Sequence, residues 1–262
     1  CQQGLPQGRV MLASVRYLAT RRTTVAALAA RRWASSDAAA AEPAQTAAVL
    51  LSGCGVFDGT EIHEAVALLL SLSRRGVPVQ CFAPDQPQMH VIDHVAGEEM
   101  AGEERNCLKE AARIARGNVT PLADLDPSAH IALFVPGGFG AAKNLCSFAT
   151  KGDKMTVDSA VQDAIDGFRS QKKPIGMCCI APVIAAKCIP KATVTLGNDA
   201  STVSVVEGFG AKHQEKAVTE VCIDEANLLV TTPAYMYGDA PLHDVANGID
   251  NMVESVLKLT KE

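Results

Sequence analysis

Pro174-Ile175-Gly176-Met177-Cys178-Cys179-Ile180-Ala181-Pro182 is the stretch on which the reading of this chain turns. Residues 174–178 form a short apolar run with a proline at its head, which predicts a fully buried strand. Pro182 suits the first turn of a helix, where the N–H that proline lacks has no partner anyway. Only a sharp turn fits between the two, and Cys179 stands on it. Outward from this unit the same rhythm recurs. Residues 47–51, 77–82, 131–135, 192–196 and 228–232 are apolar runs, each bounded by Gly, Pro or Asn. Residues 62–75 carry Ile62, Val66, Leu69 and Leu70 at helical spacing, with Gly76 as a stop. The final helix, Leu242–Leu259, repeats Ile249, Met252, Val253, Val256 and Leu257 as one apolar stripe. Apolar strands alternating with helices predict an α/β domain whose mostly parallel sheet is covered on both faces. Residues 88–117, with a charged helix over 103–116, and 151–171, a loop and a helix, read as decorations on that sheet.

The first residues belong to something else. Residues 1–36 contain no Asp or Glu, while Arg9, Arg16, Arg21, Arg22, Arg31 and Arg32 are spread among Ala, Leu, Ser and Thr. An acid-free, arginine-rich leader predicts a mitochondrial transit peptide, with Met11 as the start and a matrix destination. The Ala-rich residues 34–46 read as a linker, so the expected division is 1–46 for leader and linker and 47–262 for the domain. Without those six arginines, 18 basic residues face 29 acidic ones and the formal charge moves from −5 to −11. Such a body disfavours nucleic acid and anionic membrane surfaces. The leader lacks the continuous apolar run of a membrane anchor. Nine scattered cysteines without a C-x-x-C pair or zinc spacing predict free thiols in a reducing compartment.

In open α/β sheets reactive groups collect at the carboxyl ends of the strands. Cys179, at the start of a helix, is placed where the helix dipole favours thiolate over thiol, although paired cysteines are equally at home as small buried hydrophobes. After residues 131–135 comes Pro136-Gly137-Gly138-Phe139-Gly140. Paired glycines let a backbone N–H approach a bound oxygen, so Gly137 or Gly138 with Ile180 makes a candidate oxyanion hole. The spacing is neither that of a dinucleotide loop nor that of a P-loop. The loop after the first strand ends in Glu61-Ile62-His63-Glu64. Glu61 and Glu64, one helical turn apart, are candidate partners for Cys179 as acid or base, or simply dipole partners of their helix. His63 reads as a loop or capping histidine.

Ser52-Gly53-Cys54-Gly55, the 136–145 loop, Cys179-Ile180-Ala181-Pro182 and Val230-Thr231-Thr232-Pro233-Ala234-Tyr235-Met236 together resemble the class I glutamine amidotransferase-like superfamily. Within it the chain is most similar to the mitochondrial "ES one" proteins of vertebrates and their bacterial relative ElbB. The resemblance spans about residue 47 to the C-terminus and implies a flavodoxin-like three-layer sandwich. It further implies Cys179 as nucleophile, Glu64 as the glutamate that hydrogen-bonds it, and Gly138 and Ile180 as oxyanion donors. A homodimer follows from family habit. Two departures matter: Leu196-Gly197-Asn198 stands where many relatives have a histidine, and the turn lacks the Gly-x-Cys-x-Gly of true amidotransferases. His213-Gln214-Glu215 imitates the amidotransferase His-x-Glu but follows too closely and heads an edge strand.

The expected function is a matrix enzyme of glyoxalase or deglycase type acting on small carbonyl metabolites, without metal or organic cofactor. A non-catalytic metabolite-binding or regulatory protein is the alternative, favoured by the missing histidine. A cysteine redox sensor using Cys54 or Cys178 as resolving thiol is the third.

Overall fold

The computed structural model describes residues 46–261. The expected leader therefore lies outside the described residues, except that Thr46 already opens the first strand. In chain order the larger elements are β1 (Thr46–Leu50), α1 (Ile62–Arg74), β2 (Val79–Ala83), the hairpin β3 (Ile92–Asp93) and β4 (Glu98–Glu99), α2 (Cys107–Ile114), β5 (Val119–Pro121) and β6 (His130–Val135). They continue with α3 (Phe139–Lys143), α4 (Phe148–Lys151), α5 (Ser159–Ser170), β7 (Ile175–Cys178) and α6 (Pro182–Cys188). Then come β8 (Thr193–Val194), α7 (Ala200–Gly208), β9 (Lys212–His213), β10 (Cys222–Asp224), β11 (Leu229–Thr232) and α8 (Leu242–Leu259).

Seven strands form one sheet in the order β10-β11-β7-β6-β1-β2-β5, parallel throughout except for β10 at its edge. Ala47, Ala48, Val49 and Leu50 of β1 are all fully buried. Successive strand side chains point to opposite faces, so helices cover both sides, as the uninterrupted apolar runs require. From β1 the chain builds outward through β2 to β5, then returns to build the other way through β6, β7 and β11. The reversal between β1 and β6 opens a crevice at their carboxyl ends, the place where such sheets hold ligands.

Two expectations are corrected. Residues 192–196 do not join the sheet: only Thr193–Val194 are extended, paired with β9. The reason lies in their amides, which donate to side chains, Thr193 to Asp224 Oδ2 at 2.7 Å and Thr195 to Thr231 Oγ1 at 2.9 Å. The charged helix starts at Cys107 instead of 103, because Asn106 Oδ1 caps it by accepting from the Lys109 amide. Helix α1 is also turned. Its buried face carries Glu64, Ala65, Leu68, Ser71 and Leu72, leaving Ile62, Val66 and Leu70 exposed. Arg75, at its C-terminal end, grips Asp250 of α8 through two hydrogen bonds of 2.6 and 2.9 Å.

Candidate functional site

Four neighbouring strands converge on a single point. Through its loop β1 leads to Glu64 in the first turn of α1, β6 ends at Gly137 and Gly138, β7 ends at Cys179, and β11 runs into Tyr235. Cys179 sits at φ +58°, left-handed for a residue with a side chain, as the sharp turn between β7 and α6 demands. Its N–H donates to Thr232 O on β11 at 3.1 Å, which holds the turn against the sheet.

Glu64 is fully buried. Its Oε2 accepts from the Gly137 amide at 2.8 Å and its Oε1 from the Tyr235 amide at 3.3 Å, while the Cys178 thiol lies 3.5 Å from Oε2. The Cys179 thiol lies beside it, both facing the space left by the missing side chain of Gly137. Burial first, and the neighbouring Glu61 second, push the Glu64 carboxyl up to about 7, against the amides of Tyr235 and Gly137 and the Cys179 thiol, which favour the charged form.

The cysteine behaves differently from the sequence expectation. Burial, then the Glu64 carboxylate, push the Cys179 thiol well above its ordinary range, and the N–H groups of Gly138 and Ile180 that reach Sγ only partly oppose this. The helix-start argument for a thiolate therefore fails here: α6 is only seven residues long, and burial together with the Glu64 carboxylate raises the thiol. As pH rises, the first proton to leave the pair is that of Glu64. Above about 7 the site holds a thiol beside a carboxylate.

The other expected residues divide cleanly. The amides of Gly138 and Ile180 favour the charged form of the Cys179 sulfur, whereas Gly137 gives its N–H to Glu64. Gly137 matters for another reason: a Cβ there would meet Glu64 Oε2 at 2.8 Å and Cys179 Sγ at 2.9 Å, so its missing side chain is the space in which the pair meets. Glu61 is the N-cap of α1, accepting from the Glu64 amide at 2.6 Å, and acts on the site through its charge. His63 stays at the surface, its Nδ1 3.3 Å from Tyr235 Oη. His213 Nε2 accepts from the Leu196 amide at 3.2 Å. Sequence reasoning missed Tyr235, because its contribution is a backbone amide. It missed Asn144 too, whose side chain ties Ser52 O and Asp58 O, both at 2.9 Å, to the Met89 amide, also at 2.9 Å.

A cleft of about 580 Å³ opens over Cys179, lined in part by Gly138, Ile180 and Tyr235. Among the described residues no group of three or more His, Cys, Asp or Glu side chains is placed to hold a metal ion. No helix there is long and apolar enough to cross a membrane.

No family model matches the chain. Curated proteins do. It is 50% identical to "ES1 protein homolog, mitochondrial" of Rattus norvegicus over 87% of this chain and 88% of that protein. It is 51% identical to "Glutamine amidotransferase-like class 1 domain-containing protein 3, mitochondrial" of Homo sapiens, over 83% and 84%. The chain belongs to the ES1 family. Its fold agrees with a crystal structure described as an isoprenoid biosynthesis protein with amidotransferase-like domain from Ehrlichia chaffeensis. That match has a TM-score of 0.77 and 36% identity, covering 82% of this chain and 99% of the other. The rat, human and zebrafish ES1 relatives are all named mitochondrial, and this ES1-family chain is a mitochondrial protein. Membership accounts for the flavodoxin-like layering and leaves the chemistry to be read from the site.

Proposed function

We propose that this ES1-family protein is a cysteine-dependent carbonyl-processing enzyme of the glyoxalase or deglycase type, working in the mitochondrial matrix without a metal or organic cofactor. The observation that carries the reading is the buried Glu64 carboxyl, placed beside Cys179 and raised to about 7. When a 2-oxoaldehyde enters, Glu64 takes the thiol proton as sulfur adds to the aldehyde carbon. The carbonyl electron pair moves to oxygen, which faces the Gly138 and Ile180 amides. Glu64 returns its proton to that oxygen to complete a hemithioacetal. It then moves a proton from C1 to C2 by way of the enediol, the proton on the C1 oxygen passing to the C2 oxygen, and water hydrolyses the resulting thioester to a 2-hydroxy acid and free thiol. The histidine absent from residues 196–198 is not required on this route, because Glu64 receives the proton directly.

The expected signature is a rate that depends on Glu64 ionisation. For methylglyoxal, which does not titrate, kcat/KM should rise with pH through about 7 and then level, as Glu64 loses its proton. A flat profile between pH 5.5 and 8.5 would count against Glu64 as base. The same raised thiol argues against a peroxide sensor, since the thiolate is the species that reacts with peroxide.

A further inference from the structure

The cleft over Cys179 is far larger than methylglyoxal. Five heavy atoms at no more than about 30 Å³ each, the volume of a water molecule in the liquid, occupy about 150 Å³ of its 580 Å³. The remaining wall is mostly apolar: Phe57, Ile92, Phe139, Phe148 and Met236 line it. Phe57 and Phe139 keep 37% and 49% of their surface exposed, although large apolar side chains at a cleft usually mark what the cleft binds.

Lys143 is the single basic side chain in this lining. Its Nζ donates to Phe57 O at 2.7 Å, which leaves two of its three N–H bonds for a ligand. No carboxylate of the described residues lies within ion-pair distance of it; burial lowers its pKa and outweighs the more distant charges of Asp58 and Glu99, as expected of an ammonium that gives up water without gaining a full partner. Asp199, the acid in the lining, is already engaged as the cap of α7, accepting from the Thr202 amide and Ser201 Oγ, both at 2.7 Å. Its charge repels an anion from that part of the cleft. Lys143 and Cys179 both line the cleft, so one ligand can meet the two.

We propose that the preferred substrate is a carbonyl compound with an apolar body and one carboxylate, its carbonyl at Cys179 and its carboxylate on Lys143. A lone ammonium, without the arginine fork or second cation that a phosphate dianion attracts, suits a monoanion. This rests on the reading of Cys179 as the carbonyl nucleophile, and it deepens that reading from small dicarbonyls to amphipathic ones.

The test separates binding from turnover. Calorimetric titration of the full-length Cys179→Ala protein with 4-acetylbenzoate and with acetophenone compares an unreactive carboxylate with its neutral counterpart. The carboxylate should bind at least ten-fold more tightly, and the advantage should shrink as salt is raised. Adding Lys143→Met, or Lys143→Gln, should erase the advantage and leave acetophenone binding unchanged, which also reports that the variant is folded. Equal binding of the two ligands, binding of neither, or a carboxylate advantage that survives both Lys143 variants would overturn the proposal. Methylglyoxal turnover by the Cys179-containing protein is a separate measurement. Its absence would sink the catalytic reading while leaving the binding comparison intact.

Discussion

Glu64→Gln is expected to lower kcat/KM for methylglyoxal by about 10²–10⁴-fold, the range set by removing a positioned general base, and to abolish the rise through pH 7. Glutamine keeps the size of the side chain and an oxygen for the Gly137 amide, but it takes no proton from Cys179. The substitution has a second readout. The Glu64 carboxyl titrates near 4.5 in an unfolded chain and near 7 in the fold. Below pH 4.5 it is protonated in both states and does not oppose folding. Between 4.5 and 7 the unfolded chain releases a proton that the folded one keeps, so stability falls as pH rises, by about 3 kcal/mol in all. Above about 7 the loss is complete. Urea unfolding of wild type from pH 4.5 to 8 should show this decline, and Glu64→Gln should remove that component. A variant that keeps both its activity and the wild-type slope would refute the role given to the buried carboxyl.

Gly138→Ala is expected to lose both stability and activity. Gly138 lies at φ +91°, ψ +160°, a region that side-chain-bearing residues avoid, at a cost of order 1–3 kcal/mol. Its Cβ would also fall on backbone atoms, the Glu61 nitrogen and the Gly59 oxygen. Those atoms make the bonds that fasten the β1 loop to the β6 loop, Glu61 N–H to Gly137 O at 2.8 Å and Gly140 N–H to Gly59 O at 2.9 Å. Displacing both adds about 0.5–1.5 kcal/mol each. The total, roughly 2–6 kcal/mol, is a large share of the 5–15 kcal/mol that holds an ordinary domain together. Chemical denaturation should register that loss, and any folded fraction should turn over slowly because its amide no longer faces Sγ. A change under 1 kcal/mol with normal turnover would mean that the two loops are not locked at this point.

The parts of this molecule legible in its sequence are those where side-chain pattern dictates backbone. The apolar runs at 47–51, 131–135 and 174–178 had to be two-sided strands, and Cys179 before Pro182 had to be a turn. Helix α8 has the same ends in sequence and structure, because its stripe is strict and Pro241 precedes it. Legibility failed where side chains take over backbone hydrogen bonds, as Asp224 and Thr231 do for residues 193–195. It failed on α1 because that helix is apolar nearly all round. The face turned inward is the one whose Glu64 meets two amides from distant loops, a fact without local signature. Helix α7, a valine-rich stretch, went unseen as a helix. At the site, Cys179, Glu64, Gly138 and Ile180 were all named from the chain alone. What sequence could not supply was the sign of the electrostatics. A helix start suggested a thiolate, whereas burial and Glu64 push the thiol up.

The central claim is that Cys179, with its proton handed to Glu64, adds to carbonyl carbon. Its most direct test is the rate of methylglyoxal loss, and of 2-hydroxy acid appearance, with the full-length protein at pH 8 beside its Cys179→Ala variant. Steady turnover is expected of the first and only the buffer's background of the second. Equal rates for the two proteins, or no product from either, would contradict it.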